Sequence, residues 1–307
     1  MSKYYSAFGL MIKSDLKIDE FVETGKCDNI DVRIRLGKVP VTMNFFREET
    51  SWYQAKENEL IFSAPNVARY YIRYGNEIII ESLIEGISSA TKVYLLGTAF
   101  GAILLQRGRI PLHGSGLSLN DIGIIVTGES GAGKSTIANA LIGKGHMMVT
   151  DDVAALELDS EQRLKMYPSY PKQKLWQDSA KQMKIDVTKL KKIDGINDKY
   201  YVSIEKFCNK PTNLSAIFEL KSTRCNHVIV EELTGREQLE VILNNTYRPM
   251  FIEPFGLIKK HFFQCVAMTK MVKVYRMYRP ENEFTIEEQV KTIECLLNNL
   301  GGKQCNS

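Results

Sequence analysis

The chain has 307 residues, of which 44% are hydrophobic and 25% charged, and its formal net charge is +4. This composition is ordinary for a globular protein with a sizeable core and excludes disorder. So small a charge argues for neither nucleic acid nor an anionic membrane surface as partner.

Residues 1 to 90 read as a β-rich N-terminal domain. Val32, Ile34 and Leu36 alternate with Arg33 and Arg35, the period of a half-buried strand. The runs 69–73 and 77–81 flank Tyr74, Gly75 and Asn76 and read as a hairpin. Residues 60–62 and 43–46 add two candidate strands. This region serves either as a sheet packed on a catalytic core or as an exposed edge that recruits a peptide. A helix is expected over 91–107, with Val93, Leu96, Phe100, Ile103 and Leu104 facing inward and Gly108 as its stop. The longest candidate membrane span, Val93 to Leu105, is too short to cross a bilayer. Residues 1–6 lack the apolar core of a signal peptide, so the expected compartment is the cytoplasm. Six cysteines form no C-x-x-C pair, which makes disulfide or zinc use unexpected.

His113 falls in a loop or short strand, 109–120, just ahead of the most informative stretch. Ile122 to Val126 is an apolar run suited to a strand buried on both faces. Gly128, Glu129, Ser130, Gly131, Ala132, Gly133, Lys134 and Ser135 then read G-x-x-x-x-G-K-S, followed by Thr136 and a helix pattern carried by Ile137, Ala140 and Leu141. Glycines let backbone N–H groups converge on phosphate oxygens, and the helix N-terminus adds positive potential. Lys134 is expected on the β- and γ-phosphates of a nucleoside triphosphate, and the Ser135 hydroxyl on Mg²⁺. Residues 146–150 then read as a short strand ending in Asp151 and Asp152, an acidic pair at a strand's carboxyl end, where open α/β sheets bind ligands. One carboxylate is expected to support Mg²⁺, directly or through water, and the other to accept a proton from an attacking hydroxyl.

Two runs, 153–158 and 164–167, straddle a turn and form a second hairpin. Tyr167, Pro168, Ser169, Tyr170 and Pro171 exclude a helix, because proline disfavours helix in the residue before it. A polar helix is expected around 178–183, and the lysine-rich run 181–192 reads as a solvated face. Buried strands are expected over 214–220 and 227–230. Thr234 and Glu237 form a capping box opening a helix that runs through Tyr247. Arg248 follows, immediately before Pro249. An arginine near a γ-phosphate neutralises developing charge, so Arg248 is a candidate beside the reading as a surface arginine. A helix over 255–270 and a strand over 272–278 come next. A final helix opens with a capping box at Thr285 and Glu288 and stops at Gly301 and Gly302. The guanine-specifying N-K-x-D box is missing, since residues 209–212 read Asn-Lys-Pro-Thr.

His113-Gly114, the strand 122–127, the loop G-E-S-G-A-G-K-S-T, then K-G-H and T-D-D together resemble the catalytic domain of the HPr serine kinase/phosphorylase family. The resemblance implies an α/β P-loop catalytic core spanning 91–307, joined to the smaller β-rich domain. It implies ATP and Mg²⁺ as cofactors and a serine-bearing peptide or small protein as substrate. Asp152 matches the carboxylate that takes the serine proton, and His113 the active-site histidine. Lys134 and Ser135 match the phosphate- and metal-binding residues, Asp151 supports the metal, and Arg248 corresponds to a late arginine. The family's R-G-x-G segment after the acidic pair has no counterpart here; residues 167–176 read Y-P-S-Y-P-K-Q-K-L-W. The opening residues 5–16, the Y-P-S-Y-P segment and Val274 to Arg276 resemble the HPr-kinase-like enzymes of lasso-peptide biosynthesis. That likeness implies phosphorylation of a precursor peptide's C-terminal serine. HPr-type regulation and a small-molecule kinase are the alternatives, and a homo-oligomer is compatible with the sequence.

Overall fold

Alternating apolar and polar residues in the first 82 positions form a twisted sheet of short strands. A computed structural model describes residues 2–43, 48–49, 52–177, 180, 186–192 and 199–300. The expected strand at 43–46 and the helix at 178–183 fall almost wholly outside the described residues, as does the glycine stop at 301–302.

The N-terminal strands are β1 (Lys3–Ala7), β2 (Leu10–Ser14), β3 (Val22–Glu23), β4 (Val32–Leu36), β5 (Glu48–Glu49), β6 (Tyr53–Lys56), β7 (Glu59–Ala64), β8 (Ala68–Arg73) and β9 (Glu77–Ser82). Their order is β3-β1-β2-β4-β9-β8-β7-β6-β5. Alternate residues such as Tyr5, Ala7, Leu10, Ile12, Val32 and Ile34 are buried, as a period of two requires on a sheet with one covered face. Leu36, expected inside, is exposed. The expected hairpin pairs Arg73 with Glu77, and Tyr74 and Gly75 take the positive φ values its tight turn needs.

A nearly continuous helical segment covers this sheet, comprising α1 (Ser89–Tyr94), a π-helical stretch (Leu95–Ala99) and α2 (Phe100–Gln106). The Ser88 hydroxyl caps it by accepting from the Thr91 N–H. The expected one-sided apolar stripe is instead buried nearly all round, from Ser89 to Thr91 and again from Leu95 to Leu105. The reason is position: the segment is a central layer, with the N-terminal sheet on one side and the second sheet's Val153 and Ala155 in the same core. Phe8, at the tip of the β1–β2 hairpin, stacks on Phe100 at 5.2 Å between ring centres and meets Tyr170 edge-on at 6.1 Å. The helix expected to begin the second domain therefore shares its core with the first.

The second sheet is built from β10 (Ile110–His113), β11 (Ser115–Leu119), β12 (Ile122–Gly128), β13 (Met147–Thr150), β14 (Val153–Leu158) and β15 (Leu164–Tyr167), with α3 (Lys134–Gly143) between β12 and β13. It continues through β19 (Thr212–Thr223), β20 (Ile229–Leu233) and β21 (Lys273–Pro280). The path is β10-β14-β15-β19-β12-β11-β13, and β21 pairs with both β19 and β20. β12 and β21 run parallel to β19, whereas β11 is antiparallel to both of its neighbours. The α3 crossover thus returns the chain parallel to β12 but one strand further out, with β11 between. A small separate sheet joins β16 (Lys172–Trp176), β17 (Lys191–Lys192) and β18 (Lys199–Ser203). β16 was not expected from the sequence, because the two prolines before it mask its start.

The remaining helices are α4 (Gly235–Asn244), α5 (Ile258–Met268) and α6 (Ile286–Leu300). α3 and α6 cover one face of the second sheet through Ile137, Leu141, Val290, Ile293 and Leu297. Val241, Ile242, Cys265 and Met268 join the core on the other. Three expectations are corrected. Thr234 precedes α4 but its side chain makes no capping bond; α5 starts three residues later than expected, behind a 3₁₀ turn at Pro249–Phe251. β20 is an exposed edge strand rather than a buried one, because among the described residues β21 alone flanks it. Cys27, Cys208, Cys225 and Cys265 are free thiols; Cys265 is buried and Cys295 half-buried. No helix among the described residues is long and apolar enough to cross a membrane.

Candidate active site

The glycine loop stands at the carboxyl end of β12, where open α/β sheets bind ligands. Gly128 has φ +134°, and a Cβ there would lie 2.6 Å from the Leu220 carbonyl oxygen, so only glycine fits. Gly133, at φ +108°, turns the chain into α3. Lys134 folds back, its Nζ donating to the carbonyls of Gly128 at 2.8 Å and Glu129 at 2.9 Å. Beside the loop lies a cavity of about 770 Å³, lined by His113, Ser130, Gly131, Gly133 to Ile137, Asp151, Asp152, Lys174, Arg279, Glu281 to Ile286 and Gln289.

Asp151 and Asp152 form the two-residue corner between β13 and β14, which belong to different ribbons of the sheet. The corner separates them. Asp151 is 5% exposed, its Oδ1 accepting from Ser115 Oγ at 2.9 Å and its Oδ2 from the Lys174 N–H at 3.0 Å. Burial, reinforced by the neighbouring Asp152 charge, pushes its carboxyl above the ordinary carboxylate range. Asp152 has φ +70°, a left-handed conformation uncommon outside glycine. That twist turns its side chain, 26% exposed, towards the cavity. Its Oδ2 accepts from Lys174 Nζ at 2.8 Å, and its Oδ1 lies 3.4 Å from His113 Nδ1. The His113 ring nitrogen is also 3.0 Å from the Asp152 carbonyl oxygen, and the ring packs 5.8 Å from Tyr247.

Lys174 is the residue that sequence reasoning missed. Its side chain is only 11% exposed. Burial is the largest influence and opposes its charge, but Asp152, through charge and hydrogen bond, together with Tyr247 and Tyr201 outweighs it and holds the ammonium well above the ordinary lysine value. The available signal was the lysine immediately before Leu175 and Trp176, in an alternating run on β16. One lysine therefore serves both aspartates, its backbone bracing Asp151 and its ammonium pairing Asp152.

Arg248 does not line the cavity. It sits at φ +54° before Pro249, with its guanidinium 5.8 Å from the centre of the Trp52 ring and 5.4 Å from that of Tyr247. The arginine beside the glycine loop is Arg279, at the end of β21, whose Nε donates to the Ala132 carbonyl at 2.9 Å. Both precede a proline, and the fold brings the later one to the site.

The cleft offers hard oxygen donors suited to Mg²⁺: the Ser135 hydroxyl on one wall and the Asp152 carboxylate on the other. Both Asp151 oxygens already accept protein hydrogen bonds and brace the corner, which favours the water-mediated of the two expected routes to an ion over the direct one. Among the described residues there is no cluster of three or more acidic, histidine or cysteine side chains. Mg²⁺ sites in phosphoryl-transfer proteins commonly rest on one or two side chains plus substrate phosphates and water, so the donor set fits.

The protein is thus a mixed α/β protein built around a strand, glycine loop and helix, with an acidic corner at the same sheet edge. Within that class, residues 107–176 match the family model described as the HPr Serine kinase C-terminal domain. A putative HPr kinase/phosphorylase 2 from Oceanobacillus iheyensis is 46% identical over 48 residues, covering 16% of each chain. The HPr kinase/phosphorylase of Xanthomonas campestris pv. campestris is 46% identical over 44 residues, 14% of each chain. The similarity therefore spans only about a sixth of the length of these relatives. The HPr(Ser) kinase/phosphatase structure from Coxiella burnetii aligns over 62% of this chain and 95% of that one, at 14% identity and a TM-score of 0.32.

Proposed function

We propose that the protein is an ATP-dependent kinase that transfers the γ-phosphate to a serine hydroxyl of a peptide. The observation that carries this reading is the convergence of Asp152, Lys174 and His113 on the cavity beside the glycine loop. Backbone N–H groups of the loop and the start of α3 hold the triphosphate. Lys134 leaves the carbonyls of Gly128 and Glu129 for phosphate oxygens. The Asp152 carboxylate receives the serine proton as the serine oxygen bonds to phosphorus and the bond to the β-phosphate oxygen breaks, releasing ADP. Lys174 keeps that carboxylate oriented and adds positive charge where the transferred group carries its negative charge. His113 steadies Asp152 on the acceptor side. Mg²⁺, when bound at Ser135 and the Asp152 side of the cleft, supplies charge neutralisation of the phosphates. Because the transition state is loose, positioning and neutralisation provide most of the acceleration.

For the acceptor we favour the C-terminal serine of a lasso-type precursor peptide. Support comes from the resemblance of residues 5–16 and 167–171 to that group of kinases, and from the Y-P-S-Y-P-K-Q-K-L-W segment standing where R-G-x-G is expected. The segment matched by HPr kinase/phosphorylase relatives favours a second reading, regulatory phosphorylation of an HPr-type protein. Incubating the protein with Mg-ATP and each acceptor, followed by mass analysis, tests both. A gain of one phosphate on the precursor serine supports the first, and phosphorylation of HPr reversed by inorganic phosphate supports the second. Nucleotide binding with no transfer to either acceptor would overturn the peptide-kinase reading.

A further inference from the structure

The proposed chemistry uses only half of the cleft. The parallel strands β13, β12, β19 and β21 all end at the same sheet edge, in the spatial order β13-β11-β12-β19-β21. The glycine loop after β12 is therefore central. The Asp151–Asp152 corner lies two strand positions to one side and the turn after β21 two positions to the other, about 10 Å each way at ordinary strand spacing. A triphosphate whose γ-end meets Asp152 must run across the loop and carry its nucleoside towards β21. That side of the cavity is formed by Arg279, Asn282, Phe284 and Thr285.

Phe284 is 58% exposed, and its ring contacts no other aromatic ring among the described residues. A large apolar ring held in water beside a polar cleft is a ready stacking surface for a base. The Arg279 guanidinium fastens the end of β21 to the glycine loop by donating to the Ala132 carbonyl, and it is held in place by a second bond to the Pro280 carbonyl. A guanidinium so placed adds positive charge near the phosphates leading to the nucleoside. We infer that Phe284 is the base-stacking wall of a nucleoside subsite on the β21–α6 turn, taking the purine of a nucleoside triphosphate whose phosphates occupy the glycine loop.

This inference rests on the triphosphate-binding reading, and the experiment separates the two. Calorimetric binding of ATP and of inorganic tripolyphosphate, both with Mg²⁺, is measured for the wild type, Phe284→Ala and Phe284→Trp. Loss of the ring is expected to weaken ATP about tenfold, the scale of one stacked base, while tripolyphosphate binding is unchanged. Phe284→Trp is expected to retain ATP affinity. If Phe284→Ala binds ATP as the wild type does, or weakens ATP and tripolyphosphate equally, the subsite is wrong. If the wild type binds neither ligand, the triphosphate reading itself fails and the subsite with it.

Discussion

Replacing Lys174 by methionine keeps the side chain's length and apolar stem but deletes the ammonium 2.8 Å from Asp152. At that separation the attraction is roughly 6 kcal/mol for an effective dielectric near 20 and about 1.5 in bulk water, before desolvation is counted. Stranding one member of a fully buried pair costs about 3–5 kcal/mol. Asp152 is a quarter exposed and has His113 nearby, so a loss of about 1–2 kcal/mol is expected, lowering the melting temperature by a few degrees. Turnover should suffer more. Removing one preorganised donor from a reacting centre typically lowers kcat by about 10²–10³. Single-turnover transfer assays with parallel ATP-binding measurements should show kcat falling by that factor and nucleotide affinity changing less than threefold. Lys174→Arg should restore only part of the rate, because a planar guanidinium does not reproduce a point charge in this pocket. If Lys174→Met keeps kcat within threefold while losing the same melting temperature, Lys174 is purely structural and its catalytic role is refuted.

Lys134→Ala should abolish both triphosphate binding and transfer, whereas Asp152→Asn should abolish transfer but still bind ATP, as isothermal titration would reveal; normal turnover in Asp152→Asn rules it out as the proton acceptor. Asp151 has a raised carboxyl pKa in the folded state, so the stability tied to its protonated form is lost as pH rises through that folded value. Asp151→Asn should therefore raise the melting temperature at neutral pH and flatten its decline with rising pH, and an unchanged melting profile would contradict this account. His261 is buried, hydrogen-bonded to Thr246, and held below its ordinary value of 6.5 by burial. Stability should accordingly fall as pH drops below about 6.5, and His261→Gln should blunt that fall in urea titrations at pH 5 and 7.

The part of the site written contiguously in the chain was legible. Strand, glycines, Lys134 and Ser135 must be adjacent because one loop has to wrap one phosphate chain, and Asp151–Asp152 sit where a strand ends. Lys174 was hidden because its meaning depends on β16 crossing beneath the acidic corner, a contact over more than twenty residues that no local period encodes. Arg248 and Arg279 are both Arg-Pro pairs, and choosing between them required knowing that β21 lies beside β19. In the fold, strands with clear alternation such as β4 and the β8–β9 hairpin were readable. The burial of β20 was misjudged because an apolar pair, Ile229 and Val230, looks the same on an edge as in the middle of a sheet. The helix at 89–106 looked amphipathic because its polar positions, Thr91 and Lys92, give no hint that a second layer covers them; Lys92 is accommodated through Asp19 and Glu20.

The short link Arg107-Gly108-Arg109 has a practical consequence. Arg107 reaches Asp31 and the Gly75 carbonyl, while Arg109 bonds the Phe8 carbonyl and Glu157 and stacks on Tyr167. The strand bearing His113 is thus tied into the amino-terminal layer from both sides of a single glycine. A version of this protein trimmed to the segment shared with its relatives would lose the wall that this strand leans on, and would have to be rebuilt rather than merely shortened.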